Sequence, residues 1–217
     1  CDFFIEKVRI SGSQTFFWVK SKGVSLGEFS INVSGEHNAL NALGAFVVAL
    51  ELGLSPEAVK KGIIRFSGTK RRFEYKGELK SGALVYDDYA HHPTEIQKTL
   101  KAFRQSKKKQ KIVCIFQPHT YSRTKKLFEQ FSKSFIDVDT VILTNIFSSQ
   151  REEEDNSISS QMLAKNTSFF SKSVLYLPTL ADVVEYVDKN NFDRNTVVIT
   201  MGAGDIYKAG EKLIWKN

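Results

Sequence analysis

The chain has 217 residues, 41% of them hydrophobic and 25% charged, and a net charge of +7. That balance excludes a disordered or collagen-like chain. No apolar run reaches membrane-span length and no signal peptide is visible, so a soluble cytoplasmic protein without a membrane partner is expected.

The length allows one large domain or two small ones. The positive charge would suit nucleic acid, but it suits phosphorylated small molecules equally. The densest basic run, Lys107, Lys108, Lys109 and Lys111, has no aromatic interleaved and reads as a solvated loop, so no nucleic-acid partner is expected. The chain opens on Cys1 rather than Met, which suggests a fragment or a removed start. Cys1 and Cys114 lack metal-ligand spacing. Cys114 sits inside the apolar run Ile112–Phe116 and reads as a buried free thiol in a reducing compartment.

Residues 1–33 predict a small antiparallel sheet. Phe3–Ile5, Val8–Ile10 and Phe16–Val19 are strand-like, Phe29–Val33 alternates, and turn signals stand at Ser11-Gly12-Ser13 and Lys22-Gly23. A helix follows from about Glu36 to Leu52. Its two apolar stripes, one through Leu40, Leu43, Val47 and Leu50 and the other through Ala39, Ala42, Phe46 and Ala49, predict burial on most sides. Gly53 ends it, and Ser55 caps a second helix with Pro56 at its first position.

From about Lys70 the pattern changes. Strands Phe73–Tyr75 and Leu84–Tyr86 lead to a helix from Pro93 to about Gln105. Strand Ile112–Phe116, a helix near Arg123–Phe135 and strand Val141–Asn145 come next. A polar loop over Gln150–Asn156 precedes helix Ser159–Lys165, strand Val174–Leu177, helix Leu180–Val187, strand Val197–Thr200 and a last helix near Ile206–Ile214. Alternation of this kind predicts a doubly wound, mostly parallel α/β sheet of Rossmann-like type.

Chemistry-bearing residues gather where strands hand over to helices. Val85–Glu95 reads V-Y-D-D-Y-A-H-H-P-T-E, a buried strand running into Asp87, Asp88, Tyr89, His91 and His92. So many titratable groups exceed what an Asp-capped turn needs, although such a turn with one satisfied histidine is the plain alternative. A metal site is weaker, because no further His or Cys lies at ligand spacing. The next such turn carries Gln117, His119, Tyr121, Ser122 and Arg123. In a parallel sheet both turns fall on one edge, so His119 and Arg123 should share a crevice with Asp88 and His91.

Three further groups have two readings each. Asn38 and Asn41, three apart on one helix face, suit an adenine edge or a capped, satisfied core. Arg71 and Arg72 suit a phosphate clamp or a basic linker. Met201-Gly202-Ala203-Gly204-Asp205 allows a ligand close to the backbone, but it is not a full dinucleotide fingerprint, and a tight strand-to-helix turn explains it equally. No G-x-x-x-x-G-K-[ST] occurs, so the usual cradle for ATP phosphates is missing.

Five motifs in order resemble the Mur ligases, the ATP-dependent amino-acid ligases of peptidoglycan synthesis. They are G-E-H-N-A-L-N-A-L (Gly35–Leu43), F-S-G-T-K-R-R-F (Phe66–Phe73), D-D-Y-A-H-H-P-T-E (Asp87–Glu95), F-Q-P-H-T-Y-S-R-T (Phe116–Thr124) and M-G-A-G-D-I (Met201–Ile206). The resemblance implies that residues 1–68 are the end of a central ATP-binding domain and residues 69–217 a C-terminal amino-acid-binding domain. It implies Asn38 and Asn41 at adenine, Arg72 at phosphate and Asp88 at ribose. Tyr89, His91, His119 and Arg123 would line the pocket for the amino acid and the muramyl carboxylate. Catalytic roles would fall to Arg72, His91 and His119, either histidine taking the amine proton. Many relatives carry Arg where Thr120 stands, so carboxylate binding there would rest on Arg123.

Implied too are ATP and Mg²⁺, with the magnesium ligands outside this chain. The implied substrates are UDP-N-acetylmuramate with L-alanine, the Q-P-H-T-Y-S-R-T stretch favouring alanine over a recycled tripeptide. The chain alone is expected to be inactive. Residues 1–68 should expose an apolar face or hide it in a homodimer. A non-catalytic nucleotide-binding module is the rival reading.

Overall fold

A computed structural model describes residues 2–66, 68–107, 110–149 and 152–215. The chain divides into two compact units, one running to Thr69 and joined by Gln105–Lys108, the other holding the rest.

In the first unit, β1 (Phe3–Ser11), β2 (Gln14–Ser21) and β3 (Val24–Ile31) form an antiparallel sheet in chain order. The two apolar segments expected near Phe3 and Val8 are one strand with a bulge between Ile5 and Lys7. The tight turns fall at Gly12 and at Lys22-Gly23, whose positive φ angles the glycines accept without Cβ strain. Alternation puts Phe17, Val19, Phe29 and Ile31 on one face, which packs on Ala39, Leu43 and Phe46 of α1 (Glu36–Glu51). The second helix, α2 (Pro56–Arg65), starts as its sequence says, with Ser55 Oγ accepting from the Ala58 amide at 3.3 Å.

Helix α1 is not buried on most sides. Ala39, Leu43 and Phe46 are buried and Ala42, Val47 and Leu50 partly so, while Leu40 and Val48 are each 59% exposed. A three-stranded sheet and one short helix cannot wrap a helix that is apolar all round. The expected uncovered apolar face is therefore present on this unit.

The second unit is a six-stranded sheet in the order β4-β5-β9-β6-β7-β8. Its strands are β4 (Glu74–Glu78), β5 (Leu84–Asp88), β6 (Lys111–Phe116), β7 (Thr140–Leu143), β8 (Val174–Tyr176) and β9 (Thr196–Met201). Edge strand β4 is antiparallel to β5, and the remaining pairings are parallel, as the alternation of strands and helices predicts. The helices are α3 (Pro93–Ser106), α4 (Tyr121–Lys126), α5 (Phe128–Ser132), α6 (Ser160–Thr167), α7 (Leu180–Asn190) and α8 (Tyr207–Leu213). One core gathers Ile96, Leu100 and Phe103 of α3 with Phe131, Phe135, Leu163, Cys114 and Phe116. The other gathers Val183 and Val187 of α7 and Ala209 and Leu213 of α8 with Val85, Ile115 and Val198. Strands covered on both faces read as continuous apolar runs, which is why β6, β7 and β9 are legible.

The helix expected over Arg123–Phe135 begins earlier, at Tyr121, and bends at Leu127, whose φ and ψ are −112° and 21°. No proline or glycine marks the bend. The Leu127 amide still reaches Arg123 O and the Phe131 amide still reaches Leu127 O, so the ladder distorts without breaking. Cys114 is fully buried and its thiol is pushed far up by burial, so it is packing rather than chemistry.

Candidate functional site

Register decides which turns meet. Met201 of β9 pairs with Asp88 of β5 on one side and with Phe116 of β6 on the other. The polar turns after β5 and β6 therefore lie on one rim, with the Gly202–Asp205 turn between them. The chain runs outward from β6 through β7 to β8 and returns to β9. That reversal of strand order is where open α/β sheets bind ligands.

The first turn is built by its carboxylates. Asp88 is buried, with Oδ2 accepting from the Phe73 amide and Oδ1 from the Ala90 amide, both at 2.8 Å. Burial pushes its pKa up to about 6 against the lowering effect of those amides and of Arg72. A carboxyl raised in the folded state binds its proton more tightly there than in the unfolded chain. Its contribution to stability is therefore full below pH 4 and is lost as pH rises through about 6. The Asp88 carboxyl ¹³C resonance should titrate near pH 6; a midpoint near 4 would contradict this.

Asp87, on the opposite face, accepts from Thr200 Oγ1 at 2.6 Å and from Arg71 Nε at 2.8 Å. Glu95 accepts from the amides of His91 and His92 at 3.1 and 3.2 Å and so caps the start of α3. Burial works to raise its pKa, but those amides and the His91 ring hold it below the usual range. Part of the plain capping explanation thus holds for Asp88 and Glu95. Tyr89, His91 and Arg72 remain directed at the rim. Tyr89 meets His91 edge to face at 5.5 Å, and the exposed Arg72 lies 5.8 Å from the Tyr89 ring. His92 is exposed.

The second turn carries His119 and Arg123. The His119 ring stands 6.2 Å from His91 and stacks on Phe147 at 5.6 Å. Burial, then Arg123 and His91, lower its pKa and keep the ring neutral. Arg123 Nη1 is 3.5 Å from His119 Nδ1 and 3.4 Å from its carbonyl. Thr120 stands at the N-cap of α4 with φ 71° and no side-chain cap. Glu152 does that work, accepting from the amides of Tyr121 at 2.5 Å and Ser122 at 3.0 Å.

Between the turns, Gly202 and Gly204 do make a close approach, but to the protein itself. A Cβ at Gly202 would lie 2.6 Å from Gln117 O. One at Gly204 would lie 2.4 Å from Gln117 Oε1 and 2.7 Å from Phe147. Gln117 locks the turn, its amide donating to Asp205 at 3.0 Å and accepting from the Ile206 amide at 3.1 Å.

Residues Arg72, Asp88, Tyr89, His91, His119 and Arg123 thus belong to one unit and converge on one rim. Asn38 and Asn41 belong to the other unit. Asn38 Nδ2 donates to Ser34 O at 2.8 Å, and Asn41 is exposed. Phe147, Glu152 and Tyr207 were not singled out by sequence. Phe147 follows β7, a third parallel strand ending on the same rim, so the topological rule that found the others reaches it too. Among the described residues no three His, Cys, Asp or Glu side chains are grouped to hold a metal.

The family description "Mur ligase, glutamate ligase domain" matches residues 71–204, which hold both turns and the glycines between them. The chain belongs to the Mur ligase family. A UDP-N-acetylmuramate–L-alanine ligase of Desulfitobacterium hafniense is 41% identical over 213 residues, 98% of this chain and 47% of that protein. One of Trichlorobacter lovleyi is 42% identical over 95% of this chain and 45% of its own length. The crystal structure of a UDP-N-acetylmuramate-alanine ligase from Thermotoga maritima superposes with a TM-score of 0.81 at 26% identity, over 98% of this chain and 45% of that one. This chain therefore spans a little under half the length of these Mur ligases. None of its helices, among the described residues, is long and apolar enough to cross a membrane.

Proposed function

We infer that this chain is the amino-acid-binding half of an ATP-dependent ligase that joins L-alanine to the carboxylate of UDP-N-acetylmuramate, in peptidoglycan precursor synthesis. The observation that carries this is the meeting of His91 and His119, from separate strand-end turns, 6.2 Å apart beside an exposed arginine. The names of the relatives support alanine as the amino acid.

In the reaction the muramyl carboxylate becomes an acyl phosphate. The alanine amine then attacks the acyl carbon, phosphate leaves with the bonding pair, and one proton comes off the nitrogen. ATP supplies the phosphoryl group, and Mg²⁺ would be held outside this chain, whose described residues offer no ligand cluster. Arg72, with no hydrogen bond among the described residues, offers its guanidinium to the phosphate or to the developing negative charge. Asn38 and Asn41 remain our assignment to adenine. Asp88 remains our assignment to the ribose; it accepts one amide on each oxygen, which leaves each a further lone pair, and it fixes the turn that carries Tyr89. Tyr89 and Arg123 flank the alanine.

The direct test is a chimera in which this chain replaces the matching part of the Desulfitobacterium enzyme. ATP hydrolysis should require both UDP-N-acetylmuramate and L-alanine. Turnover with a tripeptide but not with alanine would assign the chain to the recycling ligase instead. The chain alone should hydrolyse no ATP, and alanine-dependent hydrolysis by it would refute the half-enzyme reading.

A further inference from the structure

Two adjacent arginines enter the second unit, and only one of them is free. Arg71 has a left-handed backbone, φ 57°, as does Phe73 at φ 51°. An arginine gains nothing locally from that conformation, so its surroundings must hold it there. Its amide donates to Glu74 Oε2 at 2.6 Å, and its carbonyl accepts from the Tyr89 amide at 2.7 Å.

All three guanidinium nitrogens point inward. Nε donates to Asp87 at 2.8 Å, Nη2 to Gly202 O at 2.6 Å and Nη1 to Gly204 O at 3.3 Å. The guanidinium carbon lies 4.9 Å from the Tyr89 ring and 4.7 Å from the Tyr207 ring. One side chain thus ties the segment entering the unit, the end of β5 and the glycine turn after β9. Planarity matters here, because a fork with three donors and two flat faces meets three acceptors and two rings at once. Arg72, the next residue, is left exposed beside Tyr89.

We propose that Arg71 is a positioning residue that sets Tyr89 and Arg72 at the amino-acid crevice without touching substrate. This rests on the functional reading above, in that the crevice is taken to hold alanine. Tyr89 is fixed twice, at its amide by the Arg71 carbonyl and at its ring by the Arg71 guanidinium. Arg72 takes its direction from a backbone that the clasp holds left-handed on either side. Removing the fork frees the ring and the neighbouring guanidinium together.

Arg71→Lys tests this, since lysine keeps the charge but not the fork. In this chain alone the far-UV CD should be retained while the Tyr89 and His91 ring resonances move. In the chimera the KM for L-alanine should rise about tenfold or more, with a smaller change in kcat. Arg71→Ala should show a larger defect that added methylguanidine partly restores. If that variant fails to fold, the lysine variant carries the comparison. Unchanged ring resonances in Arg71→Lys, or an alanine KM that stays at the wild-type value while only stability falls, would overturn the proposal. A wild-type chimera without activity would sink the functional reading instead, and the ring resonances of the chain alone would still decide on Arg71.

Discussion

Replacing Gly202 by alanine should cost this chain about 3–5 kcal/mol of stability, a large part of what a domain of this size has to lose. Two penalties add. The residue sits at φ 141°, which side chains rarely adopt. The added methyl would also lie 2.6 Å from Gln117 O, a backbone atom at the end of β6 that has no rotamer to retreat into. Gly202 is pinned as well, because its amide donates to Asp88 O at 3.1 Å while the Gln117 amide donates to Met201 O at 3.0 Å. Relief would require prising β9 from β6 or from β5. Gly82→Ala is the matched control. Its φ is 89° but its new methyl would meet only Arg194 at 3.5 Å, so about 1–2 kcal/mol is expected. Urea unfolding of both variants gives the comparison. Equal costs would mean that backbone conformation alone is at work and the contact with Gln117 yields.

That glycine also marks where the sequence stops being legible. Ile112–Phe116 and Val197–Thr200 announce buried strands because both faces of the sheet are covered, and polar turns directly after them fall on one rim for topological reasons. Long-range partners leave no local trace. Gly202 and Gly204 suit a ligand's approach and a tight turn equally, and what settles in the space beside them is Gln117 and Phe147. The helix after β6 reads as starting near Arg123, yet it starts at Tyr121, where Thr120 with its φ of 71° makes no side-chain cap and Glu152 caps α4 from across the loop. Arg71 and Arg72 look interchangeable, and which of them turns inward depends on carbonyls more than a hundred residues away. Helix α1 shows the same limit from the other side. Its apolar circumference is plain in the sequence, but how much of it is covered depends on what else is there to cover it.

His91→Gln should lower kcat of the chimera by about 10²–10⁴ at neutral pH, and His119→Gln by much less. Hydrogen bonding separates the two imidazoles that spacing left equal. His91 Nδ1 lies 3.1 Å from the Tyr89 carbonyl and 3.5 Å from Glu95 Oε2. Both neighbours only accept, so Nδ1 carries the hydrogen and Nε2 keeps its lone pair for an incoming ammonium. Glu95, held ionised by its amide donors, then steadies the imidazolium that forms, as a carboxylate behind a catalytic histidine does. His119 has the reverse arrangement. Its Nδ1 faces a guanidinium that only donates, so Nε2 bears the hydrogen and offers a donor rather than a base. Burial and Arg123 depress its pKa, which keeps that role neutral at physiological pH. Comparison of variants carries the decision. Glu95→Gln removes the support for the charged ring and should lower kcat of the chimera in the same direction as His91→Gln, though by less. A loss of kcat that is larger in His119→Gln than in His91→Gln would exchange the two assignments.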